Sequence, residues 1–284
     1  MVPCGPISLA EQSLLSNIHP TAIVSPEAQL DSSVTVGPFS IIDGPVAIGA
    51  NTRILSHVHI SGKTTIGPDN EIHMGCVIGH LPQHKSFKNG ETGLQIGRGN
   101  IIREYVTIHR AYQPGEQTVV GDENFLMGFS HIAHDCRVGN GIVLANGALL
   151  AGHAWVDDGA NISGNVAVHQ FVRIGSMAMI GGLARVSKDV PPYMMVEGNS
   201  EVRGINSVGL RRAGFSLEER NKVKQAYRTL YRTGLNVPQA MELLRDTAAT
   251  SPAVERLVTF IDGSVRGICR HAATHSALAS AETD

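Results

Sequence analysis

The sequence predicts a mainly β fold: a triangular parallel β-helix followed by a small C-terminal α-helical domain. Three observations predict it. An aliphatic residue recurs every six positions through the first two thirds of the chain. Glycine is abundant (31) while aromatics make up only 5% of the 284 residues, so the core is aliphatic and the turns are many. After Val186 the repeat stops and helix-capping signals take its place.

The period of six starts at Ile18 and runs through Val24, Leu30, Val36, Ile42, Ile48, Ile54, Ile60, Ile66 and Ile72 to Ile78. It resumes at Ile96, Ile102 and Ile108, and again from Val120 to Val186. In all, 26 positions carry Ile, Leu or Val, and only His84, Gly90 and Pro114 break the rule. Helices repeat at 3.6 residues and ordinary strands at 2, so neither explains it. A six-residue unit is one short strand plus a turn, with the aliphatic side chain inward and small residues at the corner. Three units close a coil of 18 residues, and coils pair about 4.8 Å apart. The 26 units make between eight and nine coils.

The interruptions at about 79–95 and 111–119 read as loops leaving the prism, where function tends to sit. The prism spans 17–190, preceded by an extension at 1–16. KDVPPY then stops the repeat. Ser216 with Glu219 makes a capping box that opens a helix through about Arg232. Asn236 with Pro238 opens a second helix and Ser251 with Pro252 a third. The helical domain covers 191–268, and 269–284 reads as a frayed tail.

Lys+Arg 23 against Asp+Glu 25 leaves a net charge of −2, which argues against a nucleic-acid binder. No run approaches 18 uninterrupted apolar residues, so no membrane span is expected. The start lacks a basic n-region, and Cys4, Cys76, Cys136 and Cys269 form no CxxC pair. A reducing cytoplasm is the expected location. Cys76 and Cys136 fall in a slot for small inward side chains and read as structural.

An 18-residue coil converts sequence into adjacency. His134 stacks on Gly152 and Gly152 on Gln170, while Asp135 stacks on His153. His131 and His169 enlarge a cluster drawn from thirteen histidines. An imidazole beside a carboxylate suits a general base, with the carboxylate fixing its tautomer. A glycine N–H one coil above suits an oxyanion. No serine or cysteine nucleophile shares the column, which favours direct attack by a substrate hydroxyl. Two plainer readings stand beside this one: merely solvated histidines, and a zinc site. From Arg203 to Arg232 eight basic residues face Glu218 and Glu219, either a solvated helix face or a landing site for an acidic protein or a diphosphate.

IHPTAIV, IREYVTIHR, SHIAHDCRVGNGIVLANGALLAGH, VAVHQFVRIG, DVPPY and GLRRAGFS together resemble the acyl-(acyl-carrier-protein)–UDP-N-acetylglucosamine O-acyltransferases, hexapeptide-repeat enzymes that begin lipid A biosynthesis. The resemblance covers about residues 17–268. It implies a left-handed β-helix, a cytoplasmic homotrimer with sites between subunits, and transfer of an (R)-3-hydroxyacyl group to the sugar 3-hydroxyl. It implies no permanently bound cofactor and no metal; phosphopantetheine arrives on the acyl-carrier protein. His134 matches the catalytic base, Asp135 its paired carboxylate and Gly152 the oxyanion-hole glycine. His131, His153, His169 and Gln170 match positions lining the substrate sites, Asn206 and Arg212 nucleotide or phosphopantetheine contacts, and Gly182 an acyl-length position.

The chain departs from the pattern in places. The PQDLKY loop becomes PQHKSFKNGE, with His84 in place of Asp and Lys85 and Lys88 as alternatives for the substrate-binding lysine. Ala213 replaces the second arginine of Arg-Arg-Gly-Phe, and Val208 and Ser200 stand where a carboxylate and a histidine are known. Three rivals remain: the later N-acyltransferase of the same pathway, which carries an extra N-terminal domain; a silent scaffold binding nucleotide sugar or carrier; and a hexapeptide-repeat zinc carbonic anhydrase, whose H-x4-H spacing differs from His131 and His134.

Overall fold

The computed structural model describes residues 17–271 except Asn89. Short strands, most of two residues, wind into three flat sheets of nine, eight and eleven strands. Within the prism every ladder is parallel, and each strand pairs with the one a full coil further on, as in Arg137↔Trp155 and Trp155↔Arg173. The inward residues from Val36 to Val186 are buried, most of them completely, forming one aliphatic stack.

The two loops leave the register intact. Lys63 pairs with Gly93, and Gly93 in turn pairs with Gln117. The first of these steps exceeds a plain coil by two repeat units and the second by one. The insertions therefore add whole units, which is why the inward series resumes in phase. Strands Val77–His80, Gly93–Ile96 and Gln117–Val120 run further into these segments than the repeat suggests.

Small residues turn only some corners. The left-handed corner position is held by Phe39, Tyr105, Phe129, Asp135, His153, Phe171 and Leu183, with φ between 59° and 63°. Such a conformation costs a non-glycine residue about 1–2 kcal/mol. Here it lets the corner N–H reach the previous coil, as His153 N–H does to His134 C=O at 3.0 Å and Phe171 N–H to Gly152 C=O at 3.1 Å.

Beyond the prism, an antiparallel hairpin of Met194–Glu197 and Glu201–Ile205 extends one sheet. Four helices follow: α1 (Ser207–Arg212), α2 (Leu217–Arg232), α3 (Val237–Ala248) and α4 (Pro252–Asp262). The hairpin and α1 were not anticipated. The box expected at Ser216 is half formed: its Oγ accepts the Glu219 N–H at 3.1 Å, but the Glu219 carboxylate accepts the Ser251 hydroxyl at 2.7 Å instead. That bond ties the first turn of α2 to the N-cap of α4. The reciprocal box forms at Asn236 and Gln239.

The tail begins later than 269. Cys269 is buried and Arg270–His271 forms a strand beside Glu201 and Val202, because the hairpin offers an unpaired edge. The rest of the expected tail and the 1–16 extension lie outside the described residues. Among the described residues, no helix is long and apolar enough to cross a membrane.

Candidate active site

His134 and Asp135 occupy the corner after strand His131–Ile132. His134 Nδ1 lies 2.6 Å from Asp135 Oδ2, and the imidazole is largely buried. With the Nδ1 proton donated to the carboxylate, Nε2 is left as a base. That edge of the ring faces Gly152: a Cβ built there would stand 2.6 Å from His134 Cε1 and 2.8 Å from Nε2. Only glycine leaves room, and among the described residues its N–H has no hydrogen-bond partner.

Asp135 is held from three sides. Its N–H donates to Thr118 Oγ1 at 2.8 Å, and its carboxylate accepts the Tyr112 N–H at 3.1 Å. Burial pushes its pKa up, but the hydrogen bonds from His134 and Tyr112 and the neighbouring imidazoles outweigh it, holding the carboxyl below the usual range. His153 Nε2 stands 3.6 Å from Asp135 Oδ2, and its ring stacks on Phe171 at 4.6 Å. Burial lowers the His153 pKa despite the attraction of Asp135. His131 bonds Thr107 Oγ1 at 2.7 Å, and burial lowers its pKa too. His109, edge-on to His131 at 5.0 Å, is pushed down to about 4 by burial first, then by His131, His80 and His134.

His134, Asp135 and His153 bring ligand-type atoms within 4.8 Å of one another. Two ligands of one tetrahedral zinc, each bonded at about 2.0–2.1 Å, sit roughly 3.3 Å apart. The 2.6 Å separation of His134 and Asp135 is that of a direct hydrogen bond.

Two family models match: the hexapeptide transferase repeats over 117–152, and the second domain of UDP-N-acetylglucosamine O-acyltransferases over 189–269. An acyl-[acyl-carrier-protein]–UDP-N-acetylglucosamine O-acyltransferase of Halorhodospira halophila is 48% identical over 258 residues, 90% of this chain and all of that one. The chain belongs to the UDP-N-acetylglucosamine O-acyltransferase family. The Francisella novicida acyltransferase structure superposes with a TM-score of 0.88 at 41% identity, over 94% of this chain and 99% of that one. The Arabidopsis acyltransferase gives 0.79 at 37%, over 89% and 100%. The fold is therefore the left-handed parallel β-helix with C-terminal helices that the repeat predicts.

The remaining residues matched to this acyltransferase family fall in several places. Gln170 and His169 sit one rung above Gly152, where Arg266 donates to the Gln170 and Ser187 carbonyls at 3.1 and 3.2 Å and approaches His169 Nδ1. Lys85 and Lys88 are exposed on the first loop, and neither makes a hydrogen bond or ion pair among the described residues. Asn206 caps α1: its side chain accepts the Gly209 N–H and donates to Met177 C=O, both at 2.9 Å, so both ends are committed within the fold. Arg212 is exposed beside it. Gly182 lies on a different edge, above Gly164, and one chain alone does not bring it to His134.

Burial pushes the Cys76 and Cys136 thiols up to about 12, as befits packed, unreactive groups. Sequence reasoning missed Tyr112, Thr118, Phe171 and Arg266. Tyr112 sits in the second insertion, and Arg266 joins the column only through the way the helices fold back.

Proposed function

We propose that the protein transfers an (R)-3-hydroxyacyl group from acyl-carrier protein to the 3-hydroxyl of UDP-N-acetylglucosamine, the first step of lipid A biosynthesis. The observation that carries this reading is the His134 ring packed so closely on Gly152 that a Cβ there would stand 2.8 Å from Nε2, with Nδ1 tied to Asp135 and the Gly152 N–H unpartnered among the described residues. His134 Nε2 takes the proton of the sugar hydroxyl while its oxygen attacks the thioester carbonyl carbon. The C–O bond forms, and the carbonyl electron pair moves to oxygen, facing the Gly152 N–H. Collapse restores C=O and breaks C–S. The departing sulfur takes the proton from His134, leaving the ester and a free phosphopantetheine thiol on the carrier. Asp135 steadies the transient imidazolium. No permanently bound cofactor enters this scheme.

Two surfaces support the partners. A largely apolar cavity of about 600 Å³ beside His153 and Phe171, walled by Trp155, Arg173 and Arg266, suits the pantetheine arm. Of the basic segment, Arg203 pairs with Glu201 and Lys222 with Glu218, which leaves Arg211, Arg212, Lys224, Arg228 and Arg232 exposed without acidic partners among the described residues to meet an acidic carrier. A homotrimer fits the exposed edge of Phe39, Tyr105, Phe129 and Leu183 beside the sheet that carries Ile23, Ile41, His131 and Leu149. Seating that edge on the next copy would give Gly182 a route to a neighbour's His134. Cytoplasmic action accords with the unpaired Cys76, Cys136 and Cys269.

The test is direct. The purified protein, given (R)-3-hydroxyacyl carriers of several lengths and UDP-N-acetylglucosamine, should yield a 3-O-acyl product by mass spectrometry. His134→Ala should lower kcat by roughly 10²-fold or more. Full activity in that variant, or no ester from any carrier with the unaltered protein, overturns the proposal.

A further inference from the structure

At the corners of the prism, the N–H of the left-handed residue reaches a carbonyl nineteen residues earlier. On one edge Gly147 N–H donates to Gly128 C=O, Asn165 N–H to Asn146 C=O and Leu183 N–H to Gly164 C=O. On the edge that carries the site, His153 N–H donates to His134 C=O and Phe171 N–H to Gly152 C=O. The same count would send the Asp189 N–H to Gln170 C=O.

That bond is missing. The chain leaves the repeat at KDVPPY, and Asp189 pairs with the returning C-terminal segment instead. Its N–H donates to Gly267 C=O at 3.1 Å, and its carbonyl accepts the Cys269 N–H at 2.8 Å. The segment that takes Asp189 away brings a substitute. Arg266 Nη1 donates to the orphaned Gln170 carbonyl at 3.1 Å, while Nη2 donates to Ser187 C=O at 3.2 Å. Among the described residues no carboxylate pairs with this guanidinium.

Three peptide groups thereby form one column. Arg266 binds the carbonyl of the Gln170–Phe171 peptide, whose N–H binds the carbonyl of the Gly152–His153 peptide at 3.1 Å. The N–H of that peptide binds His134 C=O at 3.0 Å, and the Asp135 N–H ends the column on Thr118 Oγ1 at 2.8 Å. A bond received at a carbonyl strengthens the one given by the N–H of the same peptide. The open carbonyl end of aligned peptides is negative, and a cation there is favourable, as at a helix C-terminus. A charged donor also makes a bond roughly twice as strong as a neutral one.

Resting on the acyltransferase reading above, we propose that Arg266 is a positioning residue for the transfer: it replaces the missing corner amide and so holds in register the peptides that carry Gly152 and His134. It acts through the backbone column and does not itself need to touch the reacting atoms.

The experiment uses the full chain. Arg266→Met keeps the apolar stem and removes the donors, whereas Arg266→Lys keeps the charge with an ammonium that lacks the planar fork. Without substrate, hydrogen exchange at the Phe171 and His153 amides, read by mass spectrometry with fragmentation to single amides, should quicken by about tenfold or more in Arg266→Met. The Asn165 and Leu183 amides, on the other edge, should stay within about threefold. With acyl-carrier thioester and UDP-N-acetylglucosamine, Arg266→Met should lower kcat by about tenfold and leave KM for the nucleotide sugar within about threefold, with Arg266→Lys between the two proteins. Unchanged exchange at Phe171 and His153 overturns the proposal, as does equal quickening at all four amides. A raised KM with kcat unchanged also overturns it, because it makes Arg266 a substrate contact. Should Arg266→Met fail to fold, the exchange comparison is made on Arg266→Lys, with the same outcomes. Absence of ester from the unaltered protein would instead overturn the acyltransferase reading, and the exchange rates would still decide whether Arg266 caps the column.

Discussion

Replacing Gly152 by alanine adds a methyl carbon at 2.6 Å from His134 Cε1, 2.8 Å from Nε2 and 3.2 Å from Nδ1. Ordinary carbon contacts begin near 3.4 Å, so the ring has to retreat by about 0.8 Å or the turn has to open by as much. The retreat is not free, because Nδ1 already stands 2.6 Å from Asp135 Oδ2 and the carboxylate is anchored by the Tyr112 amide. Either movement displaces the base from its place against Gly152, and a misplacement near 1 Å costs about 10²-fold in rate. The expected result is kcat down by about 10²-fold, with KM for the nucleotide sugar within a few-fold of the original, since binding contacts elsewhere are untouched. Steady-state kinetics with saturating carrier thioester reads this split. The melting temperature should fall by a few degrees, because the ring the methyl group meets is held by its bond to Asp135. A Gly152→Ala protein retaining kcat within about threefold would refute the juxtaposition on which the mechanism rests.

Asp135→Asn should fold normally, since asparagine tolerates the left-handed φ of 59° at that corner. Its kcat should nevertheless fall by roughly 10²-fold or more, as the charge that steadies the imidazolium is lost, and single-turnover acyl transfer checks it. His109 binds its proton less readily folded, at about 4, than unfolded, at about 6.5, so the unfolded chain takes up more protons between those values. Stability from this group is fully present above pH 6.5 and drains away as pH falls toward 4, by about 3 kcal/mol in all. The fall in melting temperature between pH 7 and pH 4.5 should therefore be smaller in His109→Gln; an equal fall sinks the assignment. Asn206→Ala removes the cap of α1 and its tether to Met177, and should lower the melting temperature by a few degrees, about 1–2 kcal/mol.

The repeat made the prism legible because a closed coil leaves each inward residue no choice of side. Ile72, Ile102, Leu126 and Ile162 are each fully buried, and a polar residue at any of them would stand unpaired in the aliphatic stack. The same regularity made the core of the candidate site legible: three repeat units complete one turn of the coil, so His134 and Gly152 are neighbours by counting. Counting fails where the period is broken. Tyr112 and His84 reach the site from insertions whose paths no repeat dictates, and Arg266 arrives from beyond α4 after the helices have packed back against the prism. The half-formed box at Ser216 failed for a related reason. The local partner of the Glu219 carboxylate would be the Ser216 backbone N–H, and the tertiary bond from the buried Ser251 hydroxyl takes its place.

The corner conformation explains how adjacent residues come to act as a pair. Along a β-strand, neighbouring side chains point to opposite faces, so a base and its carboxylate cannot be consecutive there. At the corner, Asp135 adopts φ 59°, and its carboxylate stands beside the preceding imidazole rather than across the sheet from it. The backbone strain of that turn is offset by the Thr118 hydroxyl accepting the Asp135 N–H and by the Tyr112 amide binding the carboxylate. The next corner repeats the device with His153 at φ 60°, whose N–H bonds the His134 carbonyl and so ties the two rungs together. The pitch of the coil puts the His134 ring against Gly152 and the bond to Asp135 holds it there, which is why a single methyl group at Gly152 should be felt so strongly.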